Sequence, residues 1–314
     1  MKTHQKLQPV YWSLFIFILA IGFAFLVISR EDPFLKSKNL YLPSQPSQAV
    51  TVWPGQVTSP SGAVTQVPVV SSLGPILIYF FAVVVVLGLV LFLIPLSALK
   101  LVFKLMYAFL YCWSIFVICI LWLPLAFSLG IAVVVGVLWF FYSRVWLHTL
   151  VMILAMVALG AVFGRFIAPW TAMIFLAILA IYDFLAVRFG YMMWMAKKLS
   201  ASDTLPAFII PYQQTMWNSK LSEAGITKIT EEKPEERKFA VLGGGDVGIP
   251  LLLVCSVYFS HGPNRALVMA IFCLAGLVSA YWIQSRYLKG KAMPALPPIA
   301  ILSVIGLSLI SFIK

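Results

Sequence analysis

Apolar runs long enough to cross a bilayer recur along this chain, and they constrain its fold more than any other feature. A transmembrane helix needs about 20 predominantly apolar residues in succession. With 62% of residues hydrophobic and only 10% charged, the composition excludes a soluble globular domain. The sequence therefore predicts an all-α membrane protein with nine transmembrane helices, at about 10–29, 73–95, 101–123, 125–143, 146–164, 167–188, 239–260, 265–285 and 293–313.

The distribution of Lys and Arg predicts how these helices are oriented. If the N-terminus is cytoplasmic, 16 of the 22 Lys and Arg residues fall in cytoplasmic segments and 6 fall outside. This bias agrees with the positive-inside rule, so we expect a multi-pass protein of the cell membrane with a cytoplasmic N-terminus and an external C-terminus. The net charge of +12 then reflects loops that face anionic lipid. We expect no nucleic-acid partner, because no basic run accompanies a nucleic-acid motif.

Two long polar connections interrupt the apolar runs. Residues 31–72 are rich in Pro, Ser, Gln and Thr and are typical of an irregular external loop. Residues 197–238 carry a mixed-charge run, and they divide the chain into a six-span half (1–196), a cytoplasmic connecting loop (197–238) and a three-span half (239–314).

Two details near the connecting loop carry expectations of their own. The stretch 205–217 is too apolar for a free linker, so we expect it to pack on neighbouring spans. An alternative is that it guards the cytoplasmic approach to a site. Beyond Arg188 the chain is aromatic, rich in Met and basic at its end, which predicts a bend near Gly190 into an interfacial helix.

Two carboxylates lie inside apolar runs, Asp183 and Asp246, whereas the other eight acidic residues fall in polar stretches. An ionised Asp within hydrocarbon costs at least about 2.5–3.5 kcal/mol, which makes both residues candidates for function. Arg188 follows Asp183 by about 7–8 Å, and Lys238 precedes Asp246 by about 12 Å, if both segments rise as helices. Both carboxyls are therefore expected at similar depth on the cytoplasmic side, where antiparallel spans could bring them together.

Two further segments are expected near this depth. Gly243 and Gly245, with Gly244 between them, weaken a helix and allow close approach by another helix or by an extended substrate. By itself such a cluster is more often explained by helix packing. The segment 294–296 stands at the cytoplasmic start of the last span, where a proline alone indicates only a helix start.

A pair of carboxyls in one low-dielectric site favours acid–base chemistry. The two cannot easily both ionise, so one keeps a proton and serves as acid while the other activates water. The main alternative is a cation or proton conductor in which both aspartates bind or relay ions. A membrane metalloprotease would need a His-Glu-x-x-His motif, but the three histidines are far apart, and a rhomboid-type serine protease motif is missing. We expect neither a cofactor nor a metal.

Three short motifs, taken together, resemble the signatures of the presenilin and signal peptide peptidase family in order and spacing. They are Tyr182-Asp183, the Gly-x-Gly-Asp of Gly243, Gly245 and Asp246, and Pro294-Ala295-Leu296. The chain looks like an archaeal or other prokaryotic presenilin homologue. The resemblance implies an intramembrane aspartyl protease of the GxGD type, with Asp183 and Asp246 catalytic and the Pro-Ala-Leu turn shaping the site. It also implies single-span transmembrane proteins or peptides as substrates and a lipid environment, and a homo-oligomer is left open.

Overall fold

The structure, a computed structural model, describes residues 2–37, 82, 86, 96–189, 206–221, 238–287 and 294–312. Helices dominate these ranges. Their bounds are α1 Lys2–Ser37, α2 Leu96–Cys119, α3 Leu125–Phe141, α4 Val145–Phe166, α5 Pro169–Arg188, α6 Gly244–His261, α7 Pro263–Tyr287 and α8 Leu296–Phe312. Two strands, β1 Ala207–Pro211 and β2 Phe239–Gly243, and a 3₁₀ helix, Gln214–Asn218, lie between α5 and α6.

The helices follow the predicted apolar runs, with ends set by helix-breaking residues. Pro124 precedes α3, and Pro169 is the first residue of α5. Proline is tolerated at this position because a backbone N–H in the first turn would have no acceptor within the helix. Gly262 ends α6 with φ 86°, a conformation that a side chain disfavours, and Pro263 begins α7 at once. Within the described ranges five helices are long and apolar enough to cross a membrane, and 125–141 and 296–312 are shorter apolar helices.

Several predicted boundaries differ from the structure. The first predicted span, 10–29, lies within the longer helix α1, which continues to Ser37. The second, 73–95, falls outside the described residues except for two isolated helical positions, 82 and 86. Helix α5 ends at Arg188, and the interfacial helix predicted beyond Gly190 falls outside the described residues.

The seventh predicted span, 239–260, is wrong at its start, because 239–243 forms strand β2 rather than helix. Strand β2 pairs antiparallel with β1, with Ala207 opposite Gly243 and Pro211 opposite Phe239. Apolar runs flanked by glycine suit a strand as well as a helix, and the partner strand decides between them. The predicted distance from Lys238 to Asp246, which assumed a helical rise, is wrong for the same reason.

The apolar stretch of the connecting loop packs on the helices, as predicted. All five residues of β1 are buried. The Trp217 ring meets the Trp12 ring of α1 at a centroid distance of 5.2 Å. Strand β1 also lies against the first turns of α4, because Thr149 donates a hydrogen bond to the Ile209 carbonyl at 3.3 Å.

Helix α4 is the centre of the helix bundle. In its apolar window 67% of residues are buried inside the protein, against 28% for α5. Helix α4 packs against α1, α2 and α6, and the same core continues through α7 and α8. This position places α4 beside both the strand pair and the start of α6.

A buried ion pair joins α1 to α4 at the end of α4 away from the strands. Arg165 Nε lies 2.9 Å from Glu31 Oε1, and the Arg165 guanidinium lies 4.7 Å from the centre of the Phe259 ring. Arg165 is 2% exposed and Glu31 14%. Glu31 lies two residues beyond the predicted first span, 10–29, within the longer apolar helix Pro9–Leu35.

Candidate active site

Asp246 lies in the first turn of α6, three residues after the residue that caps this helix, Gly243. Its carboxyl accepts a hydrogen bond from the Gly243 backbone N–H. An acidic side chain at this position reaches back to the cap residue and satisfies an N–H that the helix itself leaves without a partner. The negative charge is also favoured by the helix dipole. The strand-to-helix junction therefore holds the Asp246 carboxyl in a defined orientation.

The glycines around Asp246 differ in the space that surrounds them. A Cβ at Gly243 would lie 2.8 Å from Asp246 Oδ2, so a side chain there would displace the carboxyl. A Cβ at Gly244 would lie 2.9 Å from the Pro206 carbonyl oxygen. A Cβ at Gly245 would meet nothing within 4 Å in the described part of the chain. Gly243 and Gly244 thus allow close packing, and Gly245 faces open space.

Asp183 is buried in α5, just over one turn before this helix ends at Arg188. Its carboxyl accepts a hydrogen bond from the backbone N–H of Leu296, the first residue of α8. The N–H groups at a helix start have no intrahelical acceptor, so they favour an anionic partner. The Pro-Ala-Leu turn therefore contacts Asp183 through its backbone, with Pro294 and Ala295 half-buried beside it.

The two predicted aspartates lie in the same site. Helix α5 packs against α6 and α8, and the Asp183 carboxyl is close enough to Asp246 to interact with it electrostatically. Tyr182, the remaining predicted site residue, is half-buried on α5 next to Asp183. The structure thus brings the three predicted motifs to one place, where each aspartate accepts from a backbone N–H at a helix start.

Two other groups near the site were not identified from the sequence. Tyr281 of α7 lies within electrostatic range of Asp246 and hydrogen-bonds with Ser13 of α1. His148 of α4 contacts the carbonyl of Ala207 in β1. A tyrosine or histidine in an apolar run gives no signal of this kind, because its neighbours belong to helices distant in sequence.

The arrangement suits acid–base chemistry by a carboxyl pair. Two facing carboxyls in an apolar site can hold one proton between them, which supplies a general acid and a general base together. Among the described residues, no group of three or more His, Cys, Asp or Glu side chains is placed to hold a metal ion.

The chain is similar to one protein family in sequence and to solved structures of one kind. A family model described as signal-peptide peptidase, presenilin aspartyl protease matches residues 56–314. A solved structure of a presenilin family intramembrane aspartate protease in space group C222 aligns with a TM-score of 0.60 and 16% identity, over 98% of this chain and 100% of that chain. A second, in space group P2, aligns with a TM-score of 0.59 and 16% identity over 98% of each chain. A comparison with curated protein sequences gives no match.

Proposed function

From the premise that the chain belongs to the signal-peptide peptidase and presenilin aspartyl protease family, we propose that it is an intramembrane aspartic endopeptidase of the GxGD type. Asp183 and Asp246 are the catalytic pair. The observation that carries this proposal is the approach of two carboxyls from α5 and α6, each hydrogen-bonded by a backbone N–H at a helix start.

The reaction is peptide-bond hydrolysis by water. The ionised carboxyl takes a proton from water while the water oxygen bonds to the scissile carbonyl carbon. At the same time the protonated carboxyl donates its proton to the carbonyl oxygen. When the tetrahedral intermediate collapses, the carbon–nitrogen bond breaks, the protonated carboxyl gives its proton to the leaving nitrogen, and the ionised carboxyl takes a hydroxyl proton as the new carbonyl forms. The N–H groups of Gly243 and Leu296 orient the two carboxyls and remain in place throughout. Water and two carboxyls suffice, so the proposal includes no cofactor.

The substrates we propose are single-span transmembrane proteins or peptides. Their scissile segment must leave the helical conformation, because a helix packs side chains around each carbonyl and occupies it in a hydrogen bond. The open space beside Gly245 supports an approach by such an extended segment next to Asp246. We also propose nine spans in the cell membrane, with the N-terminus cytoplasmic and the C-terminus external.

The experiment is cleavage of a single-span substrate in proteoliposomes by the parent and by Asp183→Asn and Asp246→Asn. Asn keeps the shape and still accepts a hydrogen bond but cannot exchange a proton, so each variant should remain folded and lose turnover. The double variant should lose no more than either single one, because the pair acts as a unit. Asp203→Asn, the same change in the connecting loop, is the matched control and should keep parental activity.

Substantial cleavage by either single variant would show that the shared-proton mechanism is wrong. The alternative, a cation or proton conductor, receives no support from the comparisons. It would be favoured if the parent carried ions across the same vesicles, with dependence on both aspartates, and cleaved nothing.

A further inference from the structure

We propose that His148 is a positioning residue of this active site, which holds strand β1 by a hydrogen bond to Ala207 and so fixes Gly243 and the Asp246 carboxyl. The inference rests on the proposed function, since it assigns a role in the same site. His148 lies in the first turn of α4 and is fully buried.

The two ring nitrogens of His148 have different partners. Nε2 lies 3.1 Å from the Ala207 carbonyl oxygen, and Nδ1 lies 3.4 Å from the Tyr111 hydroxyl of α2. A carbonyl oxygen can only accept, so Nε2 carries the proton. In the neutral ring Nδ1 then accepts from the Tyr111 hydroxyl. This chain of hydrogen bonds, from Tyr111 through His148 to Ala207, connects α2 and α4 to strand β1.

Strand β1 contacts the start of α6, the helix that carries Asp246. Ala207 stands directly opposite Gly243 in the antiparallel pair. The backbone N–H of Gly244 donates to the Pro206 carbonyl at 2.9 Å, one residue before β1 begins. Pro206, just before β1, and Ala207, its first residue, are therefore tied to Gly244, which begins α6, and Gly243, which caps it.

The last contact in this series joins Gly243 to Asp246. The Gly243 N–H donates to the Asp246 carboxyl, and the gap beside Gly243 is too narrow for a side chain. A displacement of β1 moves this donor relative to the carboxyl. Reacting groups misplaced by about 1 Å can lose about 100-fold in rate. A contact on α4 can thus affect Asp246 without touching it.

The other residues on this face of α4 indicate that His148 does more than fill space. His148, Met152 and Met156 follow one another at four-residue intervals, so they share a helix face. Met152 and Met156 pack at Gly244, and Met156 packs at Gly248. Both methionines fill gaps beside glycines of α6 with apolar atoms, whereas the side chain that meets the strand is the polar one. A buried donor that only filled space would cost desolvation energy without a return.

The test compares three variants in the proteoliposome cleavage assay. His148→Leu removes the donor at similar volume and should lower kcat about 10–100-fold with KM unchanged. His148→Gln retains an N–H for Ala207 and should recover most of the loss. Ile28→Ala is the control for general destabilisation. Ile28 is fully buried in the core of the bundle and lies one turn before Glu31, at the end away from the strands, so this variant should lower the thermal midpoint while kcat stays parental.

A smaller change, Tyr111→Phe, keeps the proposal testable if His148→Leu does not fold. Tyr111→Phe removes one hydroxyl and leaves the ring in place, so kcat should fall about 2–10-fold at constant KM, as expected for one neutral hydrogen bond. Unchanged kcat in both Tyr111→Phe and His148→Leu would overturn the proposal. Equal kcat losses in His148→Leu and Ile28→Ala would also overturn it, since the effect would then be general destabilisation.

Amide hydrogen exchange tests the same inference without catalysis. Backbone amides of 238–246 should exchange faster in His148→Leu than in the parent and at the parental rate in His148→Gln and Ile28→Ala. Unchanged exchange in His148→Leu overturns the proposal whatever the activity. If the parent cleaves no substrate, the proposed protease function fails, and faster exchange in His148→Leu alone would still support the link from His148 to the strand pair.

Discussion

At the scale of single residues, Asp246 combines two roles. Its carboxyl accepts the N–H of Gly243 at the start of α6, which stabilises the helix terminus, and it is half of the proposed catalytic pair. The structural role alone would be met by any helix-capping side chain. A capping role does not explain why a second carboxyl, that of Asp183, lies close enough to interact electrostatically with Asp246. The Asp183 carboxyl accepts a hydrogen bond from the start of a different helix, α8.

The pH dependence of cleavage follows from this pair. Activity requires one carboxyl protonated and the other ionised, so the rate should fall on both sides of a maximum, which we expect in the mildly acidic to neutral range. The two limbs belong to the pair rather than to either residue. The measurement is initial rate against pH in proteoliposomes buffered on both sides. A rate that rises or falls monotonically across the range would contradict a shared proton.

The two motif glycines should respond differently to the same change. Gly243→Ala places a methyl against the Asp246 carboxyl, so kcat should fall about 100-fold, because the reacting group is displaced. Gly245→Ala meets no atom of the described residues within 4 Å, and stability should be unchanged or rise by up to about 1 kcal/mol, since Ala is the better helix former. Its methyl enters the space assigned to substrate, so its effect should be on KM.

Steady-state kinetics and thermal midpoints in detergent measure both glycine variants. Equal kcat losses in Gly243→Ala and Gly245→Ala would argue against the different roles assigned to the two glycines.

At the scale of elements, α4 supports the site at one end and the bundle at the other. Its first turns hold β1, and its last turn carries Arg165, which pairs with Glu31 of α1. Trp12 of α1 also meets Trp217 beside the strands, so α1 and α4 run parallel and are joined near both ends. The strand pair therefore packs on two helices that are held together by the Trp12–Trp217 contact at one end and the Glu31–Arg165 ion pair at the other.

The ion pair at the far end should contribute to stability and not to chemistry. Arg165→Met leaves the largely buried Glu31 without this charge partner and should cost about 3–5 kcal/mol of unfolding free energy. Combining Arg165→Met with Glu31→Gln should recover much of that loss, because no uncompensated charge remains. Denaturant unfolding in detergent measures the cycle, and kcat below the midpoint should stay parental. A double variant no more stable than Arg165→Met would contradict this account.

At the scale of the whole molecule, contacts of the connecting loop gather at one end of the bundle. Arg144, which caps the start of α4, donates a hydrogen bond to the Asn218 carbonyl and forms an isolated antiparallel β-bridge with Lys220, so the start of α4 and the connecting loop meet at one end of the bundle. The catalytic candidates lie toward this same end. If it is cytoplasmic, as the charge bias predicts, the site opens toward the inner leaflet.

Topology can be tested directly with tags in intact cells. A tag after Lys314 should be accessible to protease from outside, and a tag inserted within 220–236 should be protected until the membrane is permeabilised, because 16 of 22 basic residues lie on the predicted inner side. Digestion of the 220–236 tag in intact cells would reverse the orientation.

The sequence alone determined the membrane class, most helix positions and the candidate aspartates. Each depends on a local property: an apolar run of span length is visible without a partner, and a carboxylate within it stands out because of its transfer cost. The three motifs likewise depend on order and spacing along the chain, which require no knowledge of the contacts among them.

Only the tertiary structure decided which apolar residues leave the helix and which polar side chains meet. Residues 239–243 become a strand because 207–211, far away in sequence, offers hydrogen bonds that an isolated strand lacks. Glu31 meets Arg165, and His148 meets Ala207, across separations of 134 and 59 residues. Such pairings depend on how whole helices pack, and a single sequence carries no local pattern for them.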